Sequence, residues 1–129
     1  MKPKLRTINP ARRFKKGYIL LKILHYAEKL SEGFYGSWIK EELAKRDYTI
    51  SDGTLYPWLN RMEFSGYLKV QKKNVNGKIR KYYTITEKGQ AQLQEIKNYL
   101  KELYNDLFGK NDFKINEECK NNHYINDKL

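Results

Sequence analysis

One stretch of the chain decides its fold: Ser51-Asp-Gly-Thr-Leu-Tyr-Pro-Trp-Leu-Asn-Arg-Met-Glu-Phe-Ser-Gly-Tyr-Leu68. Ser51 or Asp52 can supply a side-chain oxygen to the free N–H groups of a first helical turn, and Gly66 suits the end of a helix. Between these ends, apolar residues recur at helical spacing and predict one buried face. They are Leu55, Trp58, Leu59 and Met62. The pattern predicts a short amphipathic helix that runs to about Ser65.

The opposite face of this helix carries side chains that suit contact with a nucleic-acid duplex. Thr and Asn can bond base edges, Arg can bond a guanine or a phosphate, and the Tyr hydroxyl can bond a phosphate. The N–H groups of the first turn, beginning at Ser51, add an anion site. An ordinary amphipathic surface helix would show the same pattern, so the helix alone leaves its function open. The face comprises Gly53, Thr54, Tyr56, Pro57, Asn60 and Arg61.

A basic hairpin is predicted directly after this helix. Two strands, Tyr67–Gln71 and Lys81–Ile85, flank Asn76-Gly77, whose residues both tolerate the positive φ of a tight turn. The hairpin cations cannot all find acidic partners nearby, and they can lie along a phosphate backbone or at a minor groove. They are Lys72, Lys73, Lys78, Arg80 and Lys81.

The charge distribution favours the nucleic-acid interpretation over a generic solvated surface. The 129 residues hold 26 Lys and Arg against 15 Asp and Glu, a net charge of +11. No acid precedes Glu28, and none lies between Glu63 and Glu87. A solvated surface normally mixes the two signs, so two acid-free basic blocks indicate attraction to a phosphate polymer.

The remaining elements complete a winged helix-turn-helix, mainly α with a small β-hairpin (α+β). Helices are predicted from about Arg13 to Leu30, from Tyr35 to Lys45, and from a Thr86 cap to Phe108. In the connector between the second and third helices, Thr49 and Ile50 can form one short extended pairing. The predicted divisions are a basic flexible arm (1–13), the DNA-binding domain (14–87), a dimerisation helix (88–109) and a polar, disordered tail (110–129).

The fourth helix carries a narrow apolar seam that predicts a homodimer. Its members are spaced 3, 4, 3 and 4 residues apart, as in the a and d positions of a coiled coil. A helix that packs only on its own domain normally shows a wider apolar face. The seam comprises Leu93, Ile96, Leu100, Leu103 and Leu107.

The chain resembles the PadR family of winged-helix transcriptional regulators over about residues 17–108. The resemblance rests on Tyr35-Gly36, Gly53-Thr-Leu-Tyr-Pro57, the wing segment Gly77-Lys-Ile-Arg-Lys-Tyr-Tyr83 and Thr86-Glu-Lys-Gly89. It implies a dimeric, repressor-like regulator that binds an inverted-repeat operator, with Tyr35 among the DNA-contacting residues. Ser37, Trp38 and the basic arm depart from the family pattern. Some relatives respond to aromatic or cationic compounds near the dimer interface, which leaves a small-molecule effector open.

Other classes of function find little support in the sequence. The sequence has only two His residues, and it shows no Gly-rich phosphate loop or nucleophile constellation. This composition argues against an enzyme, and no cofactor is expected. His25 is expected in the core or an interface. Cys119 and His123 could share a metal, but two ligands in a polar tail are a weak indication. With one Cys and no apolar run that spans a bilayer, a cytoplasmic location is expected. The alternative function is an architectural DNA-binding protein of low sequence specificity.

Overall fold

The computed structural model describes residues 5–109 and confirms the predicted α+β winged-helix order. The elements are α1 (Pro10–Lys29), α2 (Gly36–Ala44), α3 (Asp52–Phe64), β1 (Leu68–Val75), β2 (Lys78–Ile85) and α4 (Glu87–Phe108). The predicted disordered tail, with Cys119 and His123, lies outside the described residues. Within residues 5–109, no helix is long and apolar enough to cross a membrane.

Helix α1 begins earlier than the sequence pattern predicts. The Asn9 side chain accepts a hydrogen bond from the Arg12 backbone N–H at 3.0 Å, and Pro10 occupies the first helical position. Both are preferred at a helix start, because the Asn oxygen satisfies a free donor and Pro has the required φ. Residues 10–13, assigned from the sequence to a flexible arm, are therefore helical.

The core of the first compact unit, which ends at Leu93, is built from the apolar faces of the helices and the inner end of the hairpin. Ile23, Ile39 and Leu59 have no exposed surface. Burial of each such side chain stabilises the fold by about 1.5–3 kcal/mol. The other fully or nearly fully buried large side chains are Phe34, Leu43, Leu55, Tyr83 and Leu93.

The hairpin is longer than predicted. Its strands pair in register from Leu68 with Ile85 to Val75 with Lys78. The turn residues Asn76 and Gly77 have φ of 53° and 83°, as a two-residue hairpin turn of the I′ type requires. Because this turn matches the strand twist, pairing continues up to the turn itself.

A third extended segment joins the sheet at a position that the sequence does not reveal. Phe34 and Tyr83 exchange backbone hydrogen bonds of 2.8 and 3.1 Å, and their rings stack at 5.8 Å. The expected pairing at Thr49 and Ile50 is absent from residues 5–109. Residue 34 pairs instead because Gly33, with φ of 83°, turns the chain back after α1.

Helix α4 starts at a capped corner and passes from the first compact unit into the second. The Gly89 N–H donates to the Thr86 hydroxyl at 3.0 Å, which confirms the predicted cap. The boundary between the two units lies after Leu93. Beyond it, residues 94–108 continue the helix as the described helical part of the second unit.

Candidate nucleic-acid interface

The exposed face of α3, which we call the recognition helix, carries the predicted polar side chains. Leu55, Leu59 and Met62 are buried beneath it and fix the helix to the core. At 100° per residue, Gly53, Pro57 and Arg61 lie near the centre of the outer face. Thr54 lies on one flank of this face, and Tyr56 and Asn60 lie on the other. All of the predicted contact residues of α3 are exposed except Pro57, which is half-buried.

The start of the recognition helix differs in detail from the prediction. Ser51 occupies the N-cap position, but its hydroxyl donates to the Thr54 hydroxyl at 3.1 Å and caps no backbone N–H. Asp52, the other candidate cap, forms a 2.8 Å ion pair with Lys40. Lys40 thereby offsets the one acidic side chain in the first turn of α3, where a polyanion would otherwise meet a negative charge.

A groove of about 410 Å³ runs between the recognition helix, the start of α2 and β2 of the hairpin. Asn60 and Tyr56 line one wall, and Arg80 and Lys81 line the other. This groove brings Tyr56 and Asn60, two of the predicted helix residues, beside Arg80 and Lys81, two of the predicted hairpin cations. It has both neutral hydrogen-bonding groups and cations, the combination that a duplex edge and its phosphates require.

Close packing at Gly36 positions one wall of this groove. A Cβ atom built on Gly36 would lie 2.5 Å from a carbon of the Tyr56 ring. Only the absence of a side chain at position 36 lets the Tyr56 ring rest on the first turn of α2. The sequence shows Tyr35-Gly36 as a motif, but the reason for the glycine becomes visible only in the contact.

The aromatic ring of Tyr35 holds a hairpin cation in place. The Arg80 guanidinium lies 4.4 Å from the ring centroid, and Tyr82 meets the same ring edge-on at 5.5 Å. Lys73, opposite Arg80 in the strand register, lies 4.7 Å from the centroid of Tyr82. These contacts make Arg80 and Lys73 half-buried and restrain their charges. Tyr82 is a residue that the sequence prediction missed.

The other hairpin cations extend into solvent. Lys72 and Lys81 are opposite each other in the strand register, and Lys78 follows the turn. All three are exposed, and within residues 5–109 none of them forms an ion pair with an acid. The five predicted cations therefore divide into a half-buried pair held by aromatic rings and an exposed set of three.

Tyr83 marks the point where the hairpin leaves solvent and enters the core. Burial, and to a lesser degree the negative charge of Glu63 and the nearby Tyr56, raise the pKa of the Tyr83 phenol. The inner end of the hairpin is thus part of the scaffold, whereas the outer end carries the charges.

The predicted seam of α4 is divided at the boundary between the two units. Leu93 is only 1% exposed, so it belongs to the core of the first unit and offers almost no surface to another chain. Ile96 is half-buried, while Leu100, Leu103 and Leu107 are exposed by 37, 39 and 62%. Leu93 is buried early because Thr86 and Gly89 bring the first turns of α4 against the hairpin base.

The described part of the chain was expected to hold no metal site, and His25 was expected in the core or an interface. Among residues 5–109, no group of three His, Cys, Asp or Glu side chains could hold a metal ion. His25 is half-buried, and its ring lies 5.2 Å from that of Tyr26, in keeping with the expected packing role.

The chain is similar in sequence and structure to known transcriptional regulators. The model of the transcriptional regulator PadR-like family matches residues 23–95. A transcriptional regulator from Mycobacterium tuberculosis is 37% identical over 98 residues, which cover 76% of this chain and 90% of that protein. The crystal structure of a PadR family transcriptional regulator from Eggerthella lenta has a TM-score of 0.65 at 29% identity and covers 75% of this chain and 84% of its own. The crystal structure of a PadR family transcription regulator from Clostridium difficile has a TM-score of 0.60 at 32% identity. The match covers 72% of this chain and 100% of that chain.

Proposed function

We propose that this chain, which belongs to the PadR-like family of transcriptional regulators, represses transcription by binding a pseudo-palindromic DNA operator as a homodimer. The observation that carries the proposal is the groove that Tyr56 and Asn60 of α3 share with Arg80 and Lys81 of the hairpin. A cytoplasmic location belongs to the same proposal.

The recognition helix supplies sequence discrimination in this proposal. Asn60 and Thr54 bond base edges, and Arg61 bonds a guanine or a phosphate. Tyr56 bonds a phosphate from the groove wall, and the backbone near Gly53 approaches the DNA closely. Ser51, Pro57 and Tyr35 shape the ends and sides of this surface.

The hairpin supplies affinity that does not depend on sequence. Its cations neutralise phosphates and release condensed counterions, which makes binding depend steeply on salt. Arg80 and Lys73, restrained by aromatic rings, give fixed contacts, and the exposed set of Lys72, Lys78 and Lys81 gives adaptable ones.

A second copy of the chain completes the site in this proposal. A single winged helix makes few base contacts, whereas two copies related by a twofold axis double them and require an inverted repeat. The exposed seam residues Leu100, Leu103 and Leu107, together with Ile96, support pairing because solvent-exposed leucines in one helical line favour a partner helix.

A gel mobility-shift titration at two salt concentrations tests sequence-specific binding. Asn60→Ala is expected to lose about 1–3 kcal/mol on the cognate site and little on random DNA. Lys78→Ala, the matched control in the hairpin, weakens binding to both DNAs alike and flattens the salt dependence. If Asn60→Ala loses the same affinity for all DNA sequences, sequence-specific binding is contradicted.

The second candidate is an architectural protein that coats DNA with little sequence preference. It is favoured by the net charge of +11 and by the acid-free N-terminal block. A genome-wide occupancy map separates the two: discrete peaks support the regulator, and broad coverage without peaks supports the architectural protein.

A small-molecule effector would lie between subunits in this proposal. Trp38 and Trp58, the large rings that could line an aromatic site, already serve packing within one chain. Trp38 meets Tyr26 edge-on at 5.3 Å, and Trp58 lies beneath the Lys16 ammonium at 5.3 Å. These contacts favour a structural role for both rings, and an interface site would have to use other side chains.

A further inference from the structure

A second basic groove lies on the side of the recognition helix away from the hairpin. Its volume is about 760 Å³, and its floor is formed by residues 49–51, Thr54 and Trp58. One wall is the N-terminal half of α1, where helical periodicity places cations on one face above Ile19. These cations are Arg12, Arg13, Lys15 and Lys16.

The stability of α1 does not account for these charges. The positive end of a helix dipole is its N-terminus, so cations in the first turns are unfavourable there. The first turn of α1 contains no acid. Within residues 5–109, no acidic side chain forms an ion pair with any of the four cations. A cluster that costs the helix stability, and that no acid offsets, indicates an anionic partner.

Aromatic contacts hold two cations of this cluster against other parts of the first compact unit. The Lys15 ammonium lies 5.3 Å from the centroid of the Tyr48 ring, which itself stacks on Tyr18 at 4.4 Å. The Lys16 ammonium lies 5.3 Å from the Trp58 ring, which belongs to the recognition helix. The N-terminal half of α1 is thereby fixed beside α3, with its cations facing solvent.

The two basic grooves border opposite flanks of the recognition helix. Thr54 and Trp58 lie on the flank that faces α1, and Tyr56 and Asn60 lie on the flank that faces the hairpin. The major groove of B-DNA is about 12 Å wide and is bordered by one phosphate backbone on each side. A helix inserted in that groove has a backbone along each flank, so each set of cations meets a different strand.

We propose that Arg12, Arg13, Lys15 and Lys16 bind the phosphate backbone of the DNA strand opposite the one held by the hairpin. Each half-site is then clamped from both edges of the major groove. The inference rests on the proposed function, since it takes duplex DNA as the partner. It assigns a DNA-binding role to cations of the basic block that precedes Glu28.

The test removes two charges from the cluster and compares the result with removal of two charges elsewhere on the same helix. Arg12→Gln/Arg13→Gln changes exposed side chains that make no ring contact. Lys22→Gln/Lys29→Gln lowers the net charge equally in the C-terminal half of α1, and the midpoint of this pair lies about 20 Å along the helix axis from that of Arg12 and Arg13. Arg12→Lys/Arg13→Lys keeps the charge. Circular dichroism confirms that each variant is folded.

The measured quantity is the slope of log affinity against log salt for full-length protein on an operator fragment and on random DNA of the same length. Arg12→Gln/Arg13→Gln is expected to reduce the slope by about 1.8, or about 0.9 for each lost phosphate contact, on both DNAs. The operator preference of the protein stays unchanged. The Lys variant keeps the wild-type slope, and Lys22→Gln/Lys29→Gln reduces it by less than half as much.

Equal slopes for the two Gln variants would overturn the inference while leaving the proposed function intact. The inference is also overturned if Arg12→Gln/Arg13→Gln loses binding to anionic phospholipid vesicles while its DNA salt slope stays unchanged. That result would assign the cluster to a membrane surface. If the wild-type protein itself shows no operator preference, the proposed function fails, yet the slope comparison still decides whether the cluster contacts DNA.

Discussion

The recognition helix and the hairpin meet at one groove, but they are built in opposite ways. The helix presents mostly neutral polar groups on a backbone anchored by fully buried leucines. The hairpin presents cations on a two-stranded ribbon, where Arg80 and Tyr82 contact the ring of Tyr35. Discrimination between bases needs side chains fixed in position, because a misplaced hydrogen bond gives no preference. Attraction to phosphates tolerates movement, since charge acts over several ångströms.

The α4 seam and the N-terminal half of α1 extend this contrast beyond the groove. Each carries a set of side chains that one chain leaves exposed: leucines in α4 and cations in α1. Exposed leucines favour a second protein chain, and exposed cations without acids favour a polyanion. The proposed dimer on DNA satisfies both.

The largest expected effect comes from removing the support beneath the recognition helix. Leu59→Ala is expected to lower the free energy of unfolding by about 2–5 kcal/mol, because a fully buried side chain leaves a cavity. Urea denaturation measures the loss. Phe64→Ala, five residues further along the same helix but 95% exposed in the single chain, is the matched control and should change stability by less than about 0.5 kcal/mol. Similar losses for the two variants would show that the helix is not anchored as described.

A smaller effect is expected where α2 and the recognition helix touch. Gly36→Ala places a methyl group against the Tyr56 ring and should cost about 1–3 kcal/mol of stability. In a Tyr56→Ala background, the same change should cost almost nothing, because the overlapping ring is gone. A double-mutant cycle by denaturation measures the coupling. Additive effects would mean that the contact does not constrain Tyr56.

Neutralising the hairpin should change affinity without changing preference. Lys72→Gln/Lys81→Gln is expected to reduce the salt slope of DNA binding by about 1.8 if each cation neutralises one phosphate. Fluorescence anisotropy titrations at several salt concentrations measure the slope. A change in the ratio of operator to random affinity would place these lysines with the recognition helix instead, and would break the division between the two regions.

The smallest effect concerns Tyr83, at the base of the hairpin. Its pKa in the folded state is raised by burial, so the folded protein holds the phenol proton more tightly than the unfolded chain. Stability from this group is present below pH 10 and is lost as the pH rises above 10, when the unfolded chain deprotonates first. Denaturation of Tyr83→Phe should therefore show a weaker loss of stability above pH 10 than the wild-type protein. Identical pH profiles would contradict the burial of this phenol.

Sequence patterns predict those features that depend on neighbours along the chain. The apolar spacing of α3 fixes its buried face, the Asn76-Gly77 pair fixes the hairpin turn, and Thr86 fixes the cap of α4. These features follow from local geometry, and the structure confirms them except at Trp58, which is half-buried. The caps at Asn9 and Ser51 are also local, but they involve a choice between hydrogen-bond partners that composition does not decide.

Features that depend on contacts between distant residues were not predictable. Three such features bring together segments that are far apart in the chain. They are the pairing of Phe34 with Tyr83, the packing of the Tyr35 ring against Arg80 and the burial of Leu93. The spacing of the seam is the same at Leu93 as at Leu103, yet only tertiary packing decides which leucine is already covered. For the same reason, the basic α1 groove emerges only when α1 and α3 are placed side by side.

Selection of bound fragments from random DNA by the full-length protein tests the central proposal most directly. The proposal predicts an enriched inverted repeat whose half-site centres lie about 10–10.5 base pairs apart, or a multiple of that distance. It further predicts that Asn60→Ala relaxes the preference at a defined position in each half-site. Enrichment of no motif, or of a single half-site without symmetry, would contradict a dimer that uses two recognition helices on one operator.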